Sequence, residues 1–197
     1  MTTETTSRDR ENTLIEDVRF LQEHGQNPIV LRNETGARVV VSPEYQGRVM
    51  TSTMDGDSGY SCGWINYKLI RSGRTTPHIN AYGGEDRFWL GPEGGQFSIY
   101  FPRGAAFTFE NWQVPAVFDT EPWTITGNDG SREVRLEARF APVDWSGNRK
   151  QIRLERAVRL LSAEELAREL GTGTIASALR AVGYTTVNKV INAGTGS

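Results

Sequence analysis

Glu133-Val-Arg-Leu-Glu-Ala-Arg-Phe140 alternates without a break. Val134, Leu136, Ala138 and Phe140 fall on one side of an extended chain, and Glu133, Arg135, Glu137 and Arg139 on the other. A strand with one dry face and one wet face is what this period encodes, and such strands belong to antiparallel sheets. Two further segments carry the period. Phe97, Ile99 and Phe101 oppose Ser98 and Tyr100, so a strand is expected there with its phenylalanines inward. In Gln151–Leu161, Ile152, Leu154, Val158 and Leu160 share a side with Arg156. An arginine on the dry face either pairs with a buried acid or faces a ligand.

Moving outward, Ile29-Val-Leu31 and Ala37-Arg-Val-Val-Val41 read as strands joined by the turn Arg-Asn-Glu-Thr-Gly36. Gly47-Arg-Val-Met-Thr-Ser-Thr53 is a third strand, closed by Asp55-Gly-Asp-Ser-Gly59, and Val182–Gly194 is a late one. Helices are expected over 13–24, where Leu14, Val18 and Leu21 recur at helical spacing, and over 162–170, which opens on the capping box Ser162-Ala-Glu-Glu165 and stops at Gly171. The expected fold is mainly β, an antiparallel β-sandwich, with residues 1–12 a frayed leader and 13–197 one domain. A sheet that ends one turn after a strand leaves a long edge open, so the chain reads as an N-terminal portion of a longer sandwich.

A length of 197 residues suits one hydrophobic core. The formal charge of −2 gives no basic field for phosphate backbones, so nucleic acid is not an expected partner. No early apolar run and no span of bilayer length is present; no membrane is expected as a partner, and the reading is cytoplasmic. The lone cysteine, Cys62, excludes an internal disulfide framework and reads as core filling.

Several motifs fail on their chemistry. Gly56-Asp-Ser-Gly59 needs a histidine base held by an acid to become a nucleophile site, and the chain has only His24 and His78. Gly171-Thr-Gly-Thr174 lacks the lysine of a phosphate loop, so no nucleotide cofactor is expected. One cysteine and two distant histidines cannot build a zinc site; Glu85, Asp86 and Glu93 are oxygen donors for a hard cation, yet no metal is expected.

Pro77 to Asn111 is different. His78, Asn80, Glu85, Arg87, Glu93 and Gln96 sit among Tyr82, Phe88, Trp89 and Trp112. Aromatic faces cover the C–H side of a sugar ring while acids, amides and arginine meet its hydroxyls, so the mixture suits carbohydrate. The competing reading pairs Glu85 with Arg87 to pin a loop and sends the tryptophans to the core.

Ala37–Met50 resembles the opening of galactose mutarotase-like domains, and Gly83-Gly-Glu-Asp-Arg-Phe-Trp-Leu-Gly-Pro-Glu93 looks like the Gly-Gly-x-x-Arg-Leu-Trp-x-x-Pro-Glu element of a branch of that superfamily whose function is unknown. Trp64-Ile-Asn-Tyr67, His78-Ile-Asn-Ala-Tyr82 and Phe109-Glu-Asn-Trp112 extend the similarity, which runs from about residue 29 to the end. It implies a β-supersandwich handling carbohydrate, and acid/base epimerisation of aldoses if the protein is an isomerase. On that basis His78 and Glu93 are the candidate proton carriers. Asn80, Glu85, Arg87, Trp89, Gln96, Trp112 and Arg156 are the candidate sugar contacts, with Glu85, Arg87 and Glu93 lining one concave face. The alternatives are a module that binds glycan or holds the fold without catalysis, and an incomplete gene product without activity of its own.

Overall fold

A computed structural model describes residues 12–176 and 178–194. The expected frayed leader over 1–12 lies, but for Asn12, outside the described residues. Three strands, β1 (Ile29–Arg32), β2 (Arg38–Ser42) and β3 (Arg48–Thr53), form one antiparallel sheet in sequence order. Four more, β4 (Thr124–Asn128), β5 (Glu133–Phe140), β6 (Ile152–Leu160) and β7 (Tyr184–Asn192), form a second antiparallel sheet, again in order.

The two sheets face each other across the main core. Val39, Val41 and Val49 of the smaller sheet enclose it with Val134, Leu136, Leu154, Val158 and Leu160 of the larger. The alternation of β5 and β6 therefore places its apolar side inward as expected. The outward side carries a ladder of charges, with Arg139–Glu137 at 2.6 Å, Arg153–Glu155 at 2.6 Å and Arg153–Glu137 at 3.3 Å. Exposed pairs of this kind contribute under about 1 kcal/mol each and serve mainly to keep that face wet.

The smaller sheet is covered on both sides. Helix α1 (Leu14–Glu23) lays Leu14, Val18 and Leu21 against Val40 and Met50, which point away from the main core. Two-sided burial is why Val39-Val-Val41 is a continuous apolar run instead of an alternation. The helix is tied down by Asp17, fully enclosed, whose carboxylate accepts from the Ser61 and Tyr67 hydroxyls.

Between β3 and β4 the chain makes a long excursion carrying α2 (Tyr67–Ser72), a 3-10 turn at Phe109–Asn111 and α3 (Ala116–Asp119). Its 83–86 portion runs beside β3: the Val49 amide donates to the Asp86 carbonyl at 3.0 Å, and the Glu85 amide donates to Val49 at 2.8 Å. Gly83 and Gly84, at φ +99° and +104°, permit this approach, since a Cβ on Gly84 would meet the Val49 carbonyl at 2.8 Å and the Arg48 side chain at 2.7 Å. After β6 the capping box closes as expected: Ser162 Oγ accepts from the Glu165 amide at 3.2 Å, opening α4 (Ala163–Glu169).

Two expectations are corrected. Residues 97–101 form no strand, and the alternation is inverted: Ser98 and Tyr100 are buried while Phe97 is 56% exposed. Ser98 Oγ donates to the Glu93 carbonyl at 3.0 Å and accepts from the Tyr100 amide, and the Tyr100 hydroxyl donates to the Leu90 carbonyl at 2.6 Å. Polar atoms met in this way can go inside at little cost. Cys62 is exposed instead of filling the core. Gly63 packs so tightly on Met50 and Thr51 that a Cβ would lie 2.2 Å from the Met50 carbonyl, and Ser61 takes the inward position against Thr51. Cys62, between them, faces out.

Candidate functional site

The excursion builds the site. Asn80 is enclosed beside α3, whose last residue, Asp119, accepts from the Asn80 amide at 3.0 Å and from Asn80 Nδ2 at 2.7 Å. Asn80 Oδ1 in turn accepts from the Thr76 amide at 2.7 Å. Gln113 performs the same task nearby: its Oε1 accepts from the His78 amide at 2.9 Å while its Nε2 donates to the His78 carbonyl at 3.2 Å. That clamp holds His78 at φ +70°, a backbone setting that a non-glycine residue adopts only when its surroundings enforce it.

Asn80, Asp119 and Gln113 line a cleft of about 600 Å³. Ile99, Phe101, Val117 and Phe140 supply its apolar surface, and Thr75, Thr120 and Glu121 stand at its exposed edge. Phe101 also lines an apolar hollow of about 330 Å³ with Phe107, Phe109 and Trp112, so the two spaces adjoin. Phe107 stacks on Trp145 at 5.1 Å and meets Phe101 edge-on at 5.0 Å; Phe109 stacks on Trp112 at 6.1 Å and packs against the His78 ring at 4.4 Å. Phe109 is nevertheless 64% exposed. A third hollow, of about 630 Å³, opens at the end of β6 and β7, with a lining of Arg149, Lys150, Gln151, Ile152, Val190, Asn192 and Gly194 that contains no aromatic side chain.

From the shelf a row of rings runs inward. Trp112 stacks on Tyr100 at 6.2 Å and 8°, Tyr100 lies 5.4 Å from Trp89, and the Arg87 guanidinium sits 4.4 Å from the Trp89 ring centre. Glu93 accepts from the Trp89 indole at 2.8 Å, so Arg87 and Glu93 flank one tryptophan. Arg87 Nη2 donates to the Phe118 carbonyl at 2.6 Å. Burial lowers the Arg87 pKa, and the Asp119 carboxylate opposes that shift.

Glu85 belongs elsewhere. Its Oε1 accepts from Ser52 Oγ at 2.8 Å, and Tyr184 on β7 lies within its field; burial first, then Glu85 and Asp86, push the Tyr184 hydroxyl above its ordinary range. Glu85 pairs with neither Arg87 nor Glu93, so the expected single face of three charges is two separate sets: Glu85 turns to Ser52, while Arg87 and Glu93 flank Trp89. Arg156, 1% exposed, is spent on the protein: Nε donates to Gly47, Nη1 donates to Asn188 at 2.8 Å, and Nη2 pairs with Asp86.

His78 Nδ1 lies 2.6 Å from the Trp112 carbonyl, which can only accept, so Nδ1 carries the hydrogen. Gln96 is exposed, with its backbone carbonyl accepting from Ser146. Of the residues expected to touch a sugar, Asn80 lines the cleft and Trp112 the shelf; Asp119, Gln113, Phe107 and Phe109 join them without having been singled out as contacts. The Phe109-Glu-Asn-Trp112 quartet was the signal for the shelf. Asp119 had none, being one acid in an ordinary polar stretch.

Among the described residues no three His, Cys, Asp or Glu side chains gather into a metal-binding group, and no helix is long and apolar enough to cross a membrane. Comparison with curated proteins and with solved structures gives no match. The sequence of residues 12–197 does match one family, and the chain belongs to it: the family of unknown function DUF6786.

Proposed function

We propose that this chain is a cytoplasmic carbohydrate-binding protein of mutarotase-like fold, in which a sugar residue occupies the cleft and its apolar face rests on the adjoining aromatic shelf. The observation that carries the reading is the union of the two spaces at Phe101: a polar and apolar cleft of about 600 Å³, with room for a sugar residue, continues into exposed rings at Phe107 and Phe109. Exposed rings beside a polar cleft suit a ligand that is itself apolar on one side and hydroxylated on the other. Asn80 and Gln113 are occupied in shaping the wall, so the groups facing a ligand are the remaining lone pairs of Asp119, the hydroxyls of Thr75 and Thr120, and Glu121.

Recognition without turnover fits the geometry better than epimerisation. Ring opening needs two proton carriers on opposite sides of the anomeric carbon. Glu93 is engaged by the Trp89 indole and His78 by the Trp112 carbonyl, and neither lines the cleft. Titration calorimetry against a panel of aldoses and oligosaccharides tests the binding, and polarimetry of α-anomers tests the chemistry. Saturable heat with unchanged mutarotation is expected; absence of binding across the panel would sink the proposal, and accelerated mutarotation would replace the non-catalytic reading with the isomerase.

A further inference from the structure

Beside Asp119 lies a cluster that the carbohydrate reading leaves unused. Arg48, on β3, is 2% exposed, and its Nη1 donates to the Gly83 carbonyl at 2.7 Å. Its Nε and Nη2 are enclosed and have no partner among the described residues, and the same holds for Arg87 Nε. The two free groups of Arg48 are the side-on fork of the guanidinium, the pair of parallel N–H bonds that matches two oxygens of a carboxylate or phosphate. Over this fork stands Tyr82, its ring 6.0 Å from the Arg48 guanidinium carbon, stacked at 4.2 Å on Tyr45. Neither tyrosine hydroxyl has a hydrogen-bond partner among the described residues.

The charges do not balance. Arg48 and Arg87 bring two positive charges, and the acid nearest them, Asp119, brings one negative charge already engaged by Asn80. Glu44, beside Tyr45, is turned to Asn27 and Ser42. One positive charge remains in an enclosed place, and the strain is visible on Arg48, whose pKa falls to about 10, through burial first and the neighbouring Arg87 second. An enclosed guanidinium normally has its N–H groups met and its charge paired.

We propose that Arg48 and Arg87 form an oxyanion-binding site, in which one oxyanion group accepts from Arg48 Nε and Nη2 and from Arg87 Nε, with the Tyr45 and Tyr82 hydroxyls as further donors. The group is either a small inorganic oxyanion or the carboxylate of an organic acid, and the chemistry required is the same: two or three oxygens bearing negative charge. The site does not depend on the carbohydrate reading, because the donors stand apart from the cleft lining.

Thermal unfolding of the full chain tests it, with inorganic phosphate, sulfate, acetate and glucuronate each compared with potassium chloride at equal ionic strength. At least one oxyanion at about ten times its dissociation constant should raise Tm by about 3 °C or more over chloride. Sulfate and phosphate also stabilise proteins by exclusion from their surfaces, an effect that side-chain changes inside leave alone. The added rise should therefore vanish in Arg48→Met and in Arg87→Gln. If Arg48→Met fails to fold, Arg87→Gln, at a half-buried position, carries the comparison by itself. A response to phosphate or sulfate only identifies a free inorganic ion, and a response to acetate or glucuronate identifies an organic acid. No rise above chloride with any of the four, or a rise that persists in the variants, overturns the site.

Discussion

Arg156 and Asp86, seventy positions apart, are ion-paired at the junction of the two sheets, with the arginine side chain 1% exposed and the aspartate 34%. The Asp86 backbone is bonded to Val49 in β3, and Arg156 reaches Gly47 and Asn188 as well. One guanidinium thus fastens the smaller sheet, the excursion, β6 and β7 to one another. Removing it leaves an acid and a carbonyl without their donor. Arg156→Ala should lower unfolding free energy by about 3–5 kcal/mol, read from urea midpoints at constant slope, and adding Asp86→Asn should recover part of the loss. A midpoint unchanged by the single substitution would show the pair to be idle.

Phe109 offers the converse. It is a ring standing largely in solvent, so Phe109→Ala should change stability by under about 0.5 kcal/mol while weakening sugar binding about tenfold or more in calorimetry. Loss of stability without loss of affinity would make the ring a structural part and not a platform.

Asp119 couples wall and charge. Asp119→Ala strips the acceptor from the Asn80 amide and leaves Arg48 and Arg87 without their nearest negative charge, a change expected to cost about 3 kcal/mol. Because the arginines carry part of that cost, Arg48→Met in the Asp119→Ala background should be less harmful than the sum of the two single changes, which denaturant titration of the four proteins decides.

Glu165 gives a pH signature. The Ser162 amide at the helix start, then Arg159, hold its carboxyl down at about 2 from an ordinary 4.5. A depressed carboxyl favours the folded state above its unfolded pKa and loses that contribution as pH falls. The stability difference between the native chain and Glu165→Gln should be full above pH 4.5 and shrink towards pH 2, in urea titrations at stepped pH. A difference that stays constant over that window would mean the charge of Glu165 is not what secures the start of α4.

The sheets were legible where burial is one-sided or continuous, because β5, β6 and the Val39–Val41 run encode their surroundings in their own period. Helix α1 announced itself by the spacing of Leu14, Val18 and Leu21, and α4 by its capping box, Ser162 with Glu165. The excursion was far less legible. Its order comes from single hydrogen bonds to distant partners, such as Tyr100 to Leu90 and Asn80 to Asp119, and periodicity carries no trace of them. That is why Ser98 and Tyr100 were expected on the wet side, and why α2, α3 and β4 were not anticipated, although Asn66 accepting from the Leu69 amide and Gly73 at φ +60° do mark the ends of α2. Of the residues named from the sequence, Asn80 and Trp112 line the cleft and the shelf, Glu85 and Arg156 turn to structural partners, and Asp119 and Gln113 enter.

The stacked row of rings has an optical consequence. Trp112 and Trp145 belong to the shelf, Trp89 lies two rings further in beneath a cation, Trp123 is enclosed in the core, and Trp64 stands in solvent remote from these stacks. A molecule settling on the shelf would exclude water from the outer indoles first, shifting their emission to the blue and altering the near-ultraviolet dichroism that parallel Trp112 and Tyr100 generate together. The chromophores that form the surface therefore also report its occupancy, so an unlabelled chain can be screened by its own light.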